Sequence, residues 1–286
     1  NNGKSSTFLL ILIFFAGLSL LLYPSFSDYW NSFHQSRAIA SYAEEVANLD
    51  VEQYTELWDN AWQYNESLTQ RANAFLLSDE QKLQYEALLN VGGNGVMGYV
   101  DIPSIHCTLP IYHGTDEGVL QVAVGHLEWT SLPVGGTSSH CVISGHRGLP
   151  SAKLFTDLDK LVVGDVFMMR VLDEILTYEV DQILIVLPHE TDNLLIEPGK
   201  DYCTMVTCTP YGINSHRLLV RGTRIENAAP VLHVTSNAYR IDSLVATPVV
   251  AAPILLILLI VLMIKYRDKG SKPLISKEED EWLKEE

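Results

Sequence analysis

The sequence predicts a mainly β protein: a closed or nearly closed barrel of about eight short strands, with a helical segment before it and a membrane-spanning helix on either side. Two long stretches carry no charge and are rich in large apolar residues. Residues 30–91 contain neither glycine nor proline, and helix-forming residues dominate them. From Val96 onward, short β-prone runs alternate with turn residues, which is typical of all-β barrels.

The two uncharged stretches are residues 5–27 and 243–264, and each approaches the roughly 20 residues that a helix needs to cross a bilayer. A lysine precedes the first stretch and several basic residues follow the second. The positive-inside rule therefore predicts a cell-membrane protein with both termini in the cytoplasm and residues 28–242 outside. No small-x-small cleavage site ends the first stretch, so we expect a retained anchor in place of a cleaved signal peptide.

These features divide the chain into six parts. In order they are a cytoplasmic start with the first anchor (1–27), an extracellular helical region (28–91), the barrel (92–226), a polar stalk (227–242), the second membrane helix (243–264) and a cytoplasmic tail (265–286). The helical region is expected to form two or three helices, because its apolar residues recur at helical spacing. A break is expected near residues 48–50, and Ser78 is a suitable N-cap for the last helix.

The expected strands follow one another with turn residues between them. They are Val96–Ile102, Ile105–Ile111, Val119–Val124, His140–Ser144, Val166–Leu172, Ile175–Leu187, Tyr202–Thr207 and Arg217–Ile225. Glycine and proline punctuate most of the intervening segments, as they do in turns. Ala152–Lys160 is the one stretch in this part of the chain that is expected to form a helical turn or two.

The charge balance and the spacing of metal-binding residue types exclude several classes of protein. The formal net charge is −16, whereas a nucleic-acid-binding protein presents a basic surface. A zinc site could in principle combine Cys141, His146 and either His113 or His126, but none of these has the Cys-x-x-Cys or His-x-x-x-His spacing that such sites favour. We therefore expect no metal, no cofactor and no nucleic-acid partner.

Cys208 is the strongest candidate for a catalytic residue. It ends a β-prone run that Pro210 and Gly212 break, so a sheet would fix its backbone while its side chain faces open space. A cysteine nucleophile needs a nearby cation to hold its thiolate and a group that returns a proton to the leaving group. Arg217, at the start of the next run, offers the charge, and His146, after an earlier run, offers the proton. The alternative is a buried structural thiol.

His216 could compete as the base. Because adjacent residues of a strand face opposite sides of a sheet, His216 faces away if Arg217 faces Cys208. The order histidine, cysteine, arginine along the chain also differs from the cysteine, histidine, asparagine order of papain-type proteases. Two other arginines, Arg147 and Arg221, are expected at the surface or in ion pairs.

The segments around these candidates resemble those of the sortases, membrane-bound cysteine transpeptidases of Gram-positive bacteria. The short motifs are Val206-Thr207-Cys208, an arginine nine positions later, and Gly145-His146 on an earlier strand. Three longer segments, residues 109–115, 145–155 and 207–222, resemble class C, the branch that polymerises pilins. The resemblance covers residues 92–226 and implies an eight-stranded sortase-type β-barrel.

The resemblance also implies a division of labour. Cys208 would attack the Thr–Gly carbonyl of an LPxTG-like sorting signal and form a thioester, while His146 would protonate the departing amine. Arg217 would hold the substrate backbone or donate to the oxyanion. A pilin lysine amine would then resolve the thioester. His126, Thr207 and Pro210 are expected to contact the substrate, with a structural role as the alternative for His126.

Two other functions remain open: attachment of surface proteins to peptidoglycan by the same chemistry, and a non-catalytic scaffold for pilus assembly. Class C enzymes often carry an Asp-Pro-aromatic lid, but this chain has no Asp-Pro dipeptide. Phe75 and Asp79 stand in the wrong arrangement for one, so an open site is expected. The remaining cysteines are expected to be buried thiols, with a Cys107–Cys203 or a Cys141–Cys203 disulfide as the alternatives.

Overall fold

The structure is a computed structural model that describes residues 2–69, 76–227, 251–261 and 264. The chain forms two compact units, one from Asn1–Phe26 and Ser236–Glu286 and the other from Ser27–Thr235. Most of the predicted stalk and the whole predicted cytoplasmic tail lie outside the described residues, as does Phe75. The expectations for those segments stay predictions.

The first predicted membrane segment lies in a helix that is long and apolar enough to cross a bilayer. In this helix, Phe8–Ala47, an 18-residue window reaches a mean hydropathy of 2.3. Of the second predicted span, an apolar helix over Ala251–Val261 is described. That piece is shorter than the roughly 20 residues needed for a crossing, so the second span stays a prediction.

Three helices precede the barrel: α1 (Asn2–Ala47), α2 (Val51–Leu68) and α3 (Asp79–Ala87). The predicted break near residues 48–50 is present, and Asp50 caps α2 by accepting a hydrogen bond from the Gln53 amide at 2.8 Å. Ser78 caps α3 as predicted, and in both caps the third helical residue is a glutamine that bonds back to the cap. These reciprocal bonds satisfy amides that have no partner within the helix.

Eight strands close into a barrel, as the sequence predicted. They are β1 (Val96–Ile102), β2 (Cys107–His113), β3 (Val124–His126), β4 (Ser139–Ser144), β5 (Val166–Val171), β6 (Glu174–Val186), β7 (Asp201–Thr209) and β8 (His216–Arg224). Their order around the barrel is β1-β2-β3-β4-β7-β8-β6-β5. The β2–β3 and β4–β7 pairs are parallel and the others antiparallel.

One local prediction was wrong, and another was correct only for part of its range. The run Val119–Val124 is not a strand: a short helix, α4 (Glu117–Leu120), precedes β3. Its β-branched residues suit a strand, but the amides of Val119 and Leu120 both bond to the Asp116 carbonyl, which closes a helical turn. Within Ala152–Lys160 the predicted helical turn is present as one short 3-10 segment, Leu158–Lys160, with turns before it.

Buried polar contacts dock the helices on the barrel. The Tyr42 hydroxyl of α1 accepts a hydrogen bond from the Leu172 amide at 2.7 Å and donates one to the Met97 carbonyl at 3.1 Å. The Asn65 side chain of α2 likewise bonds to both the amide and the carbonyl of Leu132. Each contact satisfies backbone groups that would otherwise be buried without partners. The end of α1 and the whole of α2 are therefore part of the folded barrel domain.

A second apolar cluster lies outside the barrel. Along β4, β7 and β8, successive side chains alternate between the barrel interior and the outer side of the sheet, as they do in any pleated strand. The interior set includes Cys141, Ile143, Cys203, Met205 and Val220. The opposite side forms an outer cluster of Val142, Val186, Leu194, Val206 and Leu219, against which Leu127, Trp129 and Leu184 pack. This outer cluster lies on the same face as the candidate catalytic residues.

Candidate active site

The register of β7 and β8 brings the candidate cysteine and arginine together. Cys208 and Arg217 are direct partners in this antiparallel pair, so their side chains share one face. Residues two positions away on each strand, Val206 and Leu219, belong to the outer cluster, which fixes that face as the outside of the barrel. His216 pairs with Thr209 instead, so it faces the other way, as the alternation of the sequence predicted.

The histidine reaches the same place from a parallel strand. In the β4–β7 pair, Ser144 stands opposite Val206, and the ladder continues with a 3.1 Å bond from the Gly145 amide to the Val206 carbonyl. His146 and Cys208 each lie two residues further along. They are therefore level with each other and on the same outer face. Three neighbouring strand ends thus present His146, Cys208 and Arg217 side by side.

Each of these three residues is partly exposed, so a substrate can reach them. The turn between β7 and β8 holds the guanidinium of Arg217: its Nη1 donates to the carbonyls of Asn214 at 3.2 Å and His216 at 3.1 Å. A guanidinium has five N–H donors, so donors beyond Nη1 are available to a substrate oxygen. Arg217 is the cross-strand partner of Cys208, so its permanent charge lies on the same face of the sheet as the sulfur.

The turn itself is shaped by residues that tolerate unusual backbone angles. Gly212 and Asn214 have φ values of 75° and 59°, in the region that glycine and asparagine adopt most readily. The amides of Ile213 and Asn214 both bond to the Pro210 carbonyl. Pro210 is exposed beside the site, which leaves its predicted substrate contact as a proposal.

Two of the predicted substrate contacts do not fit the structure. Thr207 faces the barrel interior and is 1% exposed, and its hydroxyl donates to the Gly145 carbonyl at 2.8 Å. His126 is fully buried, with Nδ1 at 3.0 Å from the Tyr85 hydroxyl and Nε2 at 2.8 Å from the Ser131 carbonyl. Neither side chain offers a surface to a peptide, so both residues have structural roles.

The remaining cysteines are not placed to act as the nucleophile. Burial alone would raise the pKa of Cys141 and contacts with Cys203 and His126 lower it, but the thiol is buried in the barrel interior, where a peptide cannot reach it. All four cysteines are free thiols, so neither alternative disulfide is present. Burial raises the pKa of Cys107 to about 12, and burial also raises the pKa of Cys203 well above its ordinary value. Cys141 stands opposite Cys203 on the interior face. Cys208 is therefore the thiol that the strand register places on the reactive outer face.

The candidate zinc ligands do not converge. Cys141 points into the barrel, whereas His146 is on the outer face. His113 bonds to the Gly95 carbonyl at 3.0 Å and the Leu88 carbonyl at 2.7 Å. Among the described residues, no group of three or more histidine, cysteine or acidic side chains is placed to hold a metal ion.

A buried histidine fixes the loop beside the outer cluster. His140 is 1% exposed, and its Nδ1 is 2.9 Å from the Leu195 carbonyl while its Nε2 is 2.7 Å from the Thr204 hydroxyl. A neutral ring with its proton on Nδ1 satisfies both contacts, since Nε2 then accepts from the hydroxyl. The bond to Leu195 holds the loop between β6 and β7, which supplies Leu194 to the outer cluster.

Acid is expected to destabilise the fold through this histidine. Burial lowers the pKa of His140 below the ordinary value, so the unfolded chain binds more protons than the folded one near pH 6. The free energy of unfolding should therefore fall as the pH drops through about 6.5. Denaturant unfolding between pH 5 and pH 8 should show a shallower pH dependence in His140→Gln. If the free energy of unfolding depends on pH in His140→Gln as it does in the wild type, His140 is not the cause of the acid destabilisation. Burial also lowers the pKa of His113, so His113 should account for the pH dependence that remains in the variant.

Comparisons with known proteins identify the family. A family model described as the Sortase domain matches residues 100–225. The crystal structure of sortase C1 from Streptococcus agalactiae is 48% identical with a TM-score of 0.66, and the match covers 67% of this chain and 100% of that one. This chain belongs to the sortase family. Sortases are cysteine transpeptidases, and several solved sortase C structures are 41–48% identical to this sortase, so the predicted family and class are confirmed.

Two further relatives extend the comparison. The structure of Clostridium perfringens sortase C with a C-terminal cell wall sorting motif is 45% identical with a TM-score of 0.60, over 67% of this sortase and 100% of that chain. Sortase D of Bacillus subtilis is 29% identical over 131 residues, which are 45% of this chain and 63% of that protein. The match therefore spans somewhat less than two thirds of this curated relative.

Proposed function

We propose that this sortase is a membrane-anchored class C transpeptidase that cleaves an LPxTG-like sorting signal between threonine and glycine. It then joins the acyl group to a pilin lysine. The observation that carries the proposal is the strand register, which pairs Cys208 with Arg217 and brings β4, the strand that leads into His146, alongside β7. The 48% identity to sortase C1 and the Clostridium perfringens sortase C solved with a sorting motif support the same conclusion.

The first step forms a thioester. The sulfur of Cys208 attacks the threonine carbonyl carbon, and its proton passes to His146, which hands it to the glycine amine as the carbon–nitrogen bond breaks. Negative charge grows on the carbonyl oxygen in the transition state. The N–H donors of Arg217, directly across the strand pair from Cys208, are placed to stabilise that charge.

The second step exchanges sulfur for nitrogen. The ε-amine of a pilin lysine attacks the thioester carbonyl and loses its proton to His146. The carbon–sulfur bond then breaks and Cys208 regains its thiol, while the two pilins are linked by an isopeptide bond. A water molecule in place of the amine would give hydrolysis, so the acceptor must reach the thioester before water does.

The partly exposed residues that pack around the outer cluster offer a surface for the apolar part of the sorting signal. Val206 lies two residues before Cys208 on the same face, and Ser144 stands beside it, partly exposed, on β4. Leu194, from the loop that His140 holds, borders this surface. An extended peptide whose scissile carbonyl lies at Cys208 can place its leucine and proline against the partly exposed side chains that pack around this cluster, Leu127, Trp129 and Leu184.

The test is a covalent assembly reaction with the full chain in detergent. A pilin that carries both an LPxTG-like signal and an exposed lysine should form a ladder of isopeptide-linked oligomers, visible on a denaturing gel. A lysine-free pilin variant is the matched control and should be cleaved without forming a ladder. Transfer only to a small cell-wall amine would favour attachment to peptidoglycan. No cleavage by a folded protein would favour the scaffold and contradict the proposal.

A further inference from the structure

Arg147, the residue after His146, is half-buried and contacts two different parts of the domain, the segment that contains Asp159 and the turn after Cys208. Its side chain is only 10% exposed, and its guanidinium forms an ion pair with Asp159. Nη1 is 3.4 Å from the hydroxyl of Thr209, and the guanidinium carbon lies 5.9 Å from the centre of the Tyr211 ring. The sequence predicts a surface or ion-pairing residue here, and Arg147 is ion-paired and only partly exposed.

The contacts of Arg147 connect the neighbours of the two reacting side chains. Thr209 directly follows Cys208, just as Arg147 directly follows His146. On the other side of the pair, the Thr207 hydroxyl donates to the Gly145 carbonyl at 2.8 Å. Residues 145–147 and 207–209 are therefore joined both before and after the catalytic positions. The distance between His146 and Cys208 is set by these two side-chain contacts in addition to the strand ladder.

A close backbone approach adds to the same connection. Gly148 has a φ of +75°, and a Cβ built there would come within 2.8 Å of the Tyr211 ring. The Gly148 amide also bonds to the Thr156 hydroxyl at 3.1 Å. The loop after His146 thus lies directly against the turn after Cys208, with Arg147 between them.

Burying a guanidinium is unfavourable unless its charge and its donors are satisfied. Here the charge is paired with Asp159, but the buried Nε has no hydrogen-bond partner within the described part of the chain. The other contacts of the guanidinium, to the Thr209 hydroxyl and over the Tyr211 ring, connect it to the turn after Cys208.

We propose that Arg147 is a positioning residue that holds the loop bearing His146 against the turn after Cys208, and so fixes the path of the proton between imidazole and sulfur. This inference rests on the proposed function, because it assigns Arg147 to that reaction. Displacement of a catalytic group by about 1 Å can cost roughly 100-fold in rate. A positioning role predicts a loss in kcat, while KM changes little because the peptide-binding surface is intact.

The kinetic test compares Arg147→Gln with Arg221→Gln in the full chain. Arg221 is a close match: it is 15% exposed, ion-paired with Asp181 and Glu197, and lies 4.1 Å from the Tyr202 ring. Arg147→Gln should lower kcat by about 100-fold, with KM within about threefold of the wild type. Arg221→Gln should leave both constants nearly unchanged, with a similar loss of thermal stability.

A conservative variant of Arg147 and a variant of its partner Asp159 separate a positioning role from a loss of folding. Arg147→Lys retains the pairing with Asp159 but loses the planar fork that also reaches Thr209, so it should fold normally and still lose roughly 10-fold in kcat. Asp159→Asn should lower kcat, and adding it to Arg147→Gln should cost little more, because coupled residues are not additive. Three outcomes would each overturn the positioning role. They are additive losses in the double variant, a change confined to KM, and a kcat in Arg147→Gln within about twofold of the wild type.

Amide hydrogen exchange tests the connection independently of any substrate. In Arg147→Gln, exchange should accelerate both in residues 145–150 and in residues 209–215, although the two segments are far apart in sequence. In Arg221→Gln both segments should keep the wild-type rates. Acceleration in the first segment alone would overturn the inference. If the wild type cleaves no sorting peptide, the proposed function fails, whereas this exchange pattern still decides whether Arg147 joins the two segments.

Discussion

Replacing Cys208 by alanine should abolish cleavage of a sorting-signal peptide, with a loss of at least about 10⁴-fold in kcat/KM. The strand register places this thiol on the outer face with His146 and Arg217, so no other cysteine can substitute for it. The side chain is partly exposed, so its removal leaves no large cavity in the core and the fold should survive. A fluorogenic peptide assay together with thermal unfolding measures both effects.

The other cysteines provide the matched controls. Cys107→Ala and Cys203→Ala should retain substantial activity, because both thiols are removed from the outer face by burial. Cys203→Ala should lower thermal stability, since the side chain is completely buried in the barrel interior. If Cys208→Ala cleaves the peptide faster than buffer alone does, Cys208 is not the nucleophile.

Arg217→Lys should reduce kcat/KM by roughly 100-fold, the scale of losing an oxyanion donor. Lysine keeps the positive charge but loses the planar fork of donors that Arg217 directs from the turn carbonyls toward the site. The loss should appear mainly in kcat, because the charge on the oxygen develops in the transition state. Steady-state kinetics with the same peptide separate kcat from KM.

Two controls bracket this result. Arg221→Lys, four residues further along β8, should have a mild effect because Arg221 contacts Asp181 and Glu197. His216→Ala should be equally mild, since His216 pairs with Thr209 and faces away from Cys208. Near-normal kinetics in Arg217→Lys would show that Arg217 acts only as a diffuse charge, with another group holding the oxyanion.

Much of the barrel and the main catalytic arrangement could be predicted from the sequence for one physical reason. Strand residues alternate between two faces, and strands that are joined by a short turn pair with each other. These two rules are sufficient to place Cys208 opposite Arg217 and to turn His216 away. The approach of His146 depends on the parallel pairing of β4 with β7, which the local pattern of the sequence could not predict.

The failures have equally local causes. Val119–Val124 has the composition of a strand, but the hydrogen bonds of its amides to Asp116 take it into a helical turn. Thr207 and His126 lie next to functional segments in the sequence, yet the pleat and the packing of Tyr85 send both side chains inward. Their positions in the sequence correctly indicated segments near the candidate site, but did not show that the two side chains face away from it.

The role inferred for Arg147 lay beyond the reach of the sequence. Its partners are Asp159, 12 positions away, and Thr209, 62 positions away, and no periodic pattern links such residues. Local composition showed only a charged residue in a glycine-containing loop, for which solvent exposure is the usual outcome. The contact between the two catalytic loops emerges only when the barrel closes.

The central claim is that Cys208 forms a thioester with the threonine of a sorting signal. The most direct measurement is intact-protein mass spectrometry of the full chain, quenched in acid shortly after mixing with an LPxTG-like peptide, followed by proteolytic mapping of the adduct. We expect a mass increase equal to the acyl portion ending in threonine, located at Cys208 and removed by hydroxylamine. Two results would contradict the thioester at Cys208. One is an acyl group that maps to another residue, and the other is peptide turnover while Cys208 stays unmodified at every quench time.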